Sequence, residues 1–167
     1  MSSLRCGATV GSMERLVYDD DTAFTLADDA ATVSRIVRTT TVDKLRAMKF
    51  DQWTALEVLG HVADMADVFA ERVRRIVREQ KPALASVDQD AVHAQRRNNE
   101  RDPMEFAKRI QAAHGEMVRL LTDKANRART GVHADWGEVD AAHVAAYQAR
   151  HAHEHVTDVA KRFPPSN

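Results

Sequence analysis

The sequence predicts an all-α protein folded as a helical bundle. Apolar residues recur at spacings of three and four along most of the chain, which is the period of one helix face. β-Branched residues never alternate with polar residues over a useful length, so no half-buried strand is predicted. The 167 residues are enough for one domain with a substantial core.

Four long helices account for most of this pattern, and a short helix over 42–48 is expected between the first two. Thr54 and Glu57 form a capping-box pattern at the start of the second long helix, and Pro82 prevents that helix from continuing. Asp102 followed by Pro103 is typical of a helix start and marks the third. The predicted long helices span residues 22–38, 54–79, 103–125 and 142–163.

Two connections between these helices and one N-terminal segment lie outside the long helices. The polar stretch 82–101, with a short helix expected near 87–95, is long enough to cross the bundle from one end to the other. Residues 126–137 are expected to be a linker. We expect residues 1–21 to form a loosely ordered N-terminal extension and residues 22–167 to form the domain.

Composition excludes several functional classes. Lys and Arg number 24 against 25 Asp and Glu, and no basic block stands out, so no nucleic-acid partner is predicted. No apolar run has the length of a membrane span or of a signal peptide, so we expect a cytoplasmic protein with no membrane partner. Cys6 is the only cysteine and cannot form an internal disulfide.

The second long helix carries one histidine, His61, at the edge of its apolar face. Its neighbours there are Val58, Met65 and Val68, so the imidazole is expected to lean inward. An inward histidine fits a metal ligand and an ordinary half-buried residue equally well. The opposite, solvated arc of this helix is predicted to include Asp64.

The last helix carries a histidine pair with the spacing of a metal site. His151 and His155 are four residues apart and share one edge of the apolar face, whereas His153 lies off the opposite edge. Two such imidazoles can share one metal ion. Eight histidines placed at random would give this spacing roughly one time in three, so the pattern also fits interfacial residues bonded to backbone or to Asp158.

The remaining histidines are given structural or surface roles. His114 lies beside the apolar stripe of the third helix, where a satisfied core histidine is the more common outcome. The other four histidines are predicted to face solvent or to lie in loops. They are His93, His133, His143 and His153.

Two segments resemble signatures of the DinB-like (YfiT-like) superfamily of four-helix bundles. Residues 53–64 resemble its second-helix signature, a Trp-led loop and then a helix with one histidine before a short apolar residue, Ala and Asp. Residues 149–156 resemble its last-helix signature, two histidines four residues apart. Glu154 departs from the histidine that many members place before the second of the pair, and this departure leaves the pair itself intact.

The resemblance implies an up-down-down-up bundle with a long crossover between helices 2 and 3. It also implies a metal triad of His61, His151 and His155 that holds a divalent transition metal, with zinc or nickel expected. Gln148 and Asp158, one turn from the pair, are candidates for orienting the imidazoles, although an ordinary solvated role fits them equally well.

The same resemblance implies a function. Members are thought to be metal-dependent transferases or hydrolases, some with a low-molecular-weight thiol as cosubstrate, and frequently homodimers acting on small molecules. Asp64, Glu57 and Glu154 are the acidic residues nearest the triad in sequence, but none is singled out as catalytic. The alternative hypothesis is a non-catalytic, dimeric helical-bundle stress or binding protein.

Overall fold

A computed structural model describes residues 14–167 of the chain. Four long helices dominate it and agree with the predicted spans to within one helical turn. They are α1 (Asp20–Thr39), α3 (Ala55–Arg78), α5 (Pro103–Thr122) and α7 (Ala141–Arg162), with the short α2 (Val42–Ala47) after α1. Within the described residues, every helix is too short or too polar to span a bilayer.

The start of each long helix has a side-chain cap. The Thr54 hydroxyl accepts from the Glu57 amide at 3.1 Å, while the Glu57 carboxylate accepts from the Thr54 amide at 2.8 Å, which is the predicted capping box. The Asp102 and Asp140 carboxylates cap α5 and α7 by accepting from the Met104 and His143 amides. These caps satisfy amide groups that the helices leave unpaired.

Side-chain contacts between the helices give the direction of the chain. Asp64 of α3 pairs with Arg109 of α5, and further along both helices Arg74 of α3 pairs with Glu116 of α5. The two helices are therefore parallel. Phe69 stacks on Tyr147, and His61 meets His151, so α7 is antiparallel to α3.

The first helix completes the bundle. Asp29 contacts His153, and Arg35 donates to the Phe163 carbonyl, so α1 is parallel to α7. α1 packs on α5 and α7 and lies diagonally opposite α3. These relations give the up-down-down-up order, and the predicted all-α four-helix bundle is confirmed.

The crossover from α3 to α5 is ordered along its length. It contains β3 (Ala83–Leu84), α4 (Gln89–Arg96) and a single 3₁₀ turn at Asn98–Glu100. β3 pairs in parallel with β4 (Thr130–His133), which forms a hairpin with β5 (Gly137–Asp140). Part of the predicted linker over 126–137 has regular structure, since α6 (Lys124–Arg127) ends in it and its residues from Thr130 onward contribute to β4 and to the start of β5.

A second small hairpin precedes α3, and a segment with one buried residue, Tyr18, precedes α1. β1 (Lys49–Phe50) pairs with β2 (Trp53–Thr54) and places Trp53 next to the start of α3. Tyr18 is 5% exposed and lies under the Arg127 guanidinium, which is 5.1 Å from its ring centre. Residues 1–13, with Cys6, lie outside the described part of the chain, and the division at residue 22 stays a prediction.

Candidate metal centre

His61 occupies the second turn of α3 and points into the bundle, as predicted. The capping box at Thr54 fixes where the helix begins, and therefore which face His61 presents to α7. The residue is 3% exposed. The Trp53 ring meets the imidazole edge-on, with ring centres 5.1 Å apart.

His151 and His155 approach His61 from the antiparallel helix α7. Being four residues apart, they stand one turn from each other on the same helix edge. Their ring centres are 4.8 Å apart, and each is 5.1 Å from the ring centre of His61. The three imidazoles are nearly perpendicular to one another, at angles of 81° to 84°.

The three histidines each direct one ring nitrogen toward the same small volume. The Nε2 atoms of His61 and His151 are 3.2 Å apart, and one nitrogen from each of the three rings lies within 4.8 Å of the others. A tetrahedral zinc ion with bonds of 2.0–2.1 Å to imidazole requires ligand nitrogens about 3.3 Å apart. The donor set therefore suits one transition-metal ion, and the His61–His151 distance matches that of two ligands on the same ion.

Burial keeps these imidazoles in the neutral form that binds metal. It lowers the pKa of His61 to about 3, with further lowering from His151, His155 and His93. Burial and then His155 lower the pKa of His151 to about 4. Burial also lowers the pKa of His155, against the opposing effect of the Glu154 and Asp158 carboxylates. Near neutral pH each ring therefore keeps a lone pair for a metal.

A family model of the DinB superfamily matches residues 25–159. The chain belongs to the DinB superfamily. Among solved structures it is similar to YfiT from Bacillus subtilis, described as a probable metal-dependent hydrolase with an unusual four-helix bundle topology. The two share 22% identity over 88% of each chain with a TM-score of 0.72, which shows a common fold. Among curated proteins, none matches this chain.

This DinB superfamily protein has a fourth histidine near the triad, His93, which the sequence predicts to face solvent or to lie in a loop. His93, on the crossover helix α4, stacks on Trp53 with ring centres 3.8 Å apart and an interplanar angle of 15°. Its Nε2 is 3.9 Å from Glu57 Oε1, and its Nδ1 is buried without a hydrogen-bond partner in residues 14–167. The prediction of a solvent or loop histidine is wrong because the crossover folds back over Trp53.

The prediction that Asp64 lies on a solvated arc is also wrong, since the residue is only 2% exposed. Its Oδ1 accepts from Arg109 at 2.7 Å and lies 3.5 Å from Arg96, while its Oδ2 accepts from the Asn98 amide at 2.9 Å. On a helical wheel Asp64 lies on the polar arc of α3, but in the folded protein the crossover and α5 cover that arc. Asp64 is thus held by cations and an amide.

Gln148 does not orient the triad. It is fully buried, and its Nε2 lies 3.2 Å from His114 Nε2. His114 Nδ1 donates to the Leu26 carbonyl at 2.8 Å, so His114 is the satisfied core histidine that was expected. Asp158 is exposed and pairs with Lys161 instead of an imidazole. His151 Nδ1 is buried, with no hydrogen-bond partner in the described chain.

Two further histidines that were assigned to solvent are buried. His133 lies in β4, stacks on Trp136 at 4.3 Å and accepts from the Asp135 and Trp136 amides through Nδ1. His143 Nδ1 accepts from the Leu16 amide at 3.0 Å, and its ring meets Trp136 edge-on. The hairpin and the segment before α1 cover these rings, which a helical wheel does not show.

His153 has the outward position that was predicted. Its side chain is 55% exposed, and its Nδ1 lies 3.0 Å from Asp29 Oδ1 on α1. Asp29 is buried, and burial raises the pKa of its carboxyl, partly offset by His153. This pair joins α1 to α7 on a side of α7 away from the triad.

Proposed function

We propose that His61, His151 and His155 bind one divalent transition metal, zinc or nickel, and that the protein is a metal-dependent enzyme. The observation that carries this proposal is the 3.2 Å approach of the His61 and His151 Nε2 atoms beside His155. Three neutral imidazoles leave a fourth position of a tetrahedral ion open, which is the catalytic type of site.

A metal held in this way supplies Lewis acidity, which makes a thiol or water more acidic near neutral pH. We propose transferase or hydrolase chemistry on a small molecule, with a low-molecular-weight thiol as cosubstrate in the transferase case. The similarity to YfiT, described as a probable metal-dependent hydrolase, supports the hydrolase alternative. We further propose that the protein acts as a homodimer in the cytoplasm.

The residues of the chain have separate parts in this proposal. The triad orients its lone pairs inward because α3 and α7 are antiparallel and packed together. Trp53 covers one side of His61 and limits the approach of water from that side. The buried Asp64 holds the crossover through Asn98 and is not free to exchange protons with a substrate.

The activity is tested with protein loaded with zinc or nickel and offered mycothiol, bacillithiol or glutathione together with monobromobimane. We expect conjugation that depends on the metal and is lost in His61→Ala and His151→Ala. His153→Ala serves as the matched control, because this histidine is on α7 but outside the triad. Conjugation that is unchanged in the two triad variants would contradict the transferase proposal.

A further inference from the structure

We propose that two copies of this chain associate through the outward face of α1, with their α1 helices antiparallel. This inference rests on the homodimer of the proposed function and adds its interface and geometry. α1 packs on α5 and α7 and lies diagonally opposite α3, so its outward face is on the far side of the bundle from His61. A partner bound there leaves the candidate metal centre uncovered.

Phe24 is the large apolar side chain that α1 leaves in solvent. It is 68% exposed, whereas the other aromatic residues within 14–167 are buried or half-buried. Aromatic rings contribute a large share of the contact energy at protein interfaces, because they bury much apolar area with few rotatable bonds. Phe24 is therefore the expected apolar anchor of a contact on this face.

A groove beside Phe24 provides space for such a ring. It lies between α1 and α5 and has a volume of about 830 Å³. Along α1 its wall includes the small residues Ala27, Ala31 and Ser34, which follow Phe24 at helical spacings of three and four. Small side chains at a helix contact allow the two helix axes to approach closely. The groove therefore suits a second helix that carries an aromatic side chain.

The charges of α1 are arranged so that an antiparallel copy complements them. The N-terminal half has three exposed acids, Asp20, Asp21 and Asp28, and the C-terminal half has Arg35 and Arg38. A parallel copy would place the acids of one helix against the acids of the other. An antiparallel copy, which a two-fold axis perpendicular to the helix produces, places each acidic half against a basic half.

The spacing of Asp20 and Arg38 gives the register of the two helices. Positions 20 and 38 are five turns apart at 3.6 residues per turn, so both lie on one line along α1. Both side chains are exposed, and the ion pairs within residues 14–167 do not include them. A two-fold axis midway between them pairs Asp20 of each copy with Arg38 of the other. The same axis brings each Phe24 opposite Ser34 of the partner, which lines the groove.

Sedimentation velocity over a range of protein concentrations tests the anchor, because it gives the dimer Kd. We expect the wild-type chain to dimerise and Phe24→Ala to raise the Kd at least about 10-fold, since the buried ring is lost. Val132→Ala is the matched control, because Val132 is an apolar residue of β4, 41% exposed and outside this face. Circular dichroism confirms that both variants keep their helices.

A charge exchange tests the antiparallel pairing. In Asp20→Arg and in Arg38→Asp both Asp20–Arg38 pairs become pairs of like charge, so each variant alone should have a Kd raised at least about 10-fold. Mixed in equal amounts, the two variants place an arginine against an aspartate at both pairs. We therefore expect heterodimers with a Kd near that of the wild type, which native mass spectrometry distinguishes from homodimers by mass.

The interface and the metal centre are tested separately. His61→Ala removes a proposed metal ligand on α3 and should keep the wild-type dimer Kd. Phe24→Ala should in turn keep the wild-type zinc content after reloading. A dimer that is lost in His61→Ala and retained in Phe24→Ala would place the contact at the triad and overturn the α1 interface.

The remaining outcomes decide different points. A wild-type chain that stays monomeric at every concentration would overturn the proposed homodimer together with this interface. A dimer whose Kd is unchanged in Phe24→Ala, Asp20→Arg and Arg38→Asp would overturn the interface alone. Charge variants that are monomeric alone and form no heterodimer on mixing would overturn the antiparallel pairing.

Discussion

The Nε2 atoms of His61 and His151 lie 3.2 Å apart, although 90 residues separate them in the chain. Two imidazole nitrogens at this distance either share one proton in a hydrogen bond or direct two lone pairs at a common ion. The third ring, His155, lies at the same distance from His61 as His151 does, measured between ring centres. A hydrogen bond between His61 and His151 does not require a third histidine beside them.

Acid should destabilise the metal-free protein because three histidines are buried in neutral form. Burial lowers the pKa of His61 to about 3 and those of His114 and His151 to about 4. The unfolded chain then binds more protons than the native one below pH 6.5, so stability is complete above that pH and is lost toward pH 4 and below.

Urea denaturation at pH 7 and pH 4.5 measures this effect. We expect the free energy of unfolding to fall by at least about 1 kcal/mol, given roughly 1.4 kcal/mol for each unit of pKa shift. His114→Gln removes one of the three shifts and should show a smaller difference between the two pH values. A wild-type protein equally stable at both would contradict this account.

Gly60→Ala should loosen the crossover from α3. The added Cβ would lie 2.4 Å from Asn98 Cγ, so Asn98 must move and its bond to the buried Asp64 must break. We expect a loss of about 1–3 kcal/mol in stability, typical of a buried polar group left without its partner. Urea denaturation measures it.

Gly115→Ala is the matched control for this substitution. Gly115 lies inside α5, and no atom would come within 4 Å of its new Cβ. Because alanine favours helix over glycine, we expect this variant to be more stable by about 0.5–1 kcal/mol. Equal effects of the two substitutions would show that Asn98 does not depend on the space at Gly60.

Arg109→Met should be strongly destabilising. It leaves Asp64, whose side chain is 1% exposed, without the cation that donates to it at 2.7 Å. Removing one partner of a buried ion pair costs about 3–5 kcal/mol. Adding Asp64→Asn to this variant should restore part of the loss, since no buried charge then remains.

The control for this ion pair is Lys161→Met. Lys161 and Asp158 are 69% and 65% exposed, so their pair should contribute less than about 1 kcal/mol. Thermal denaturation of the three variants compares them directly. A loss in Arg109→Met no larger than in Lys161→Met would contradict a structural role for the buried pair.

The sequence was most informative where structure depends on local patterns. The Thr54 and Glu57 capping box located α3 to within one residue, and the phase of α7 separated His151 and His155 from His153. Both follow from helical periodicity and from caps, which are short-range properties. The two helix signatures that resemble the DinB family then connected His61 to the pair.

The sequence was least informative where distant segments meet. Asp64 is polar and lies on the polar arc of α3, yet the crossover buries it. His93 has no periodic signal, and its place depends on how α4 folds against Trp53. The β4–β5 hairpin has only four residues in each strand, too few for alternation to distinguish it from a loop.

Elemental analysis of protein purified without a polyhistidine tag tests the metal centre most directly. After reloading with zinc or nickel and removal of free ion, we predict about one equivalent of metal per chain in the wild type and in His153→Ala, as expected for a three-histidine site. His61→Ala and His151→Ala should retain far less. Less than about a tenth of an equivalent in the wild type, unchanged in these two variants, would contradict the proposed centre.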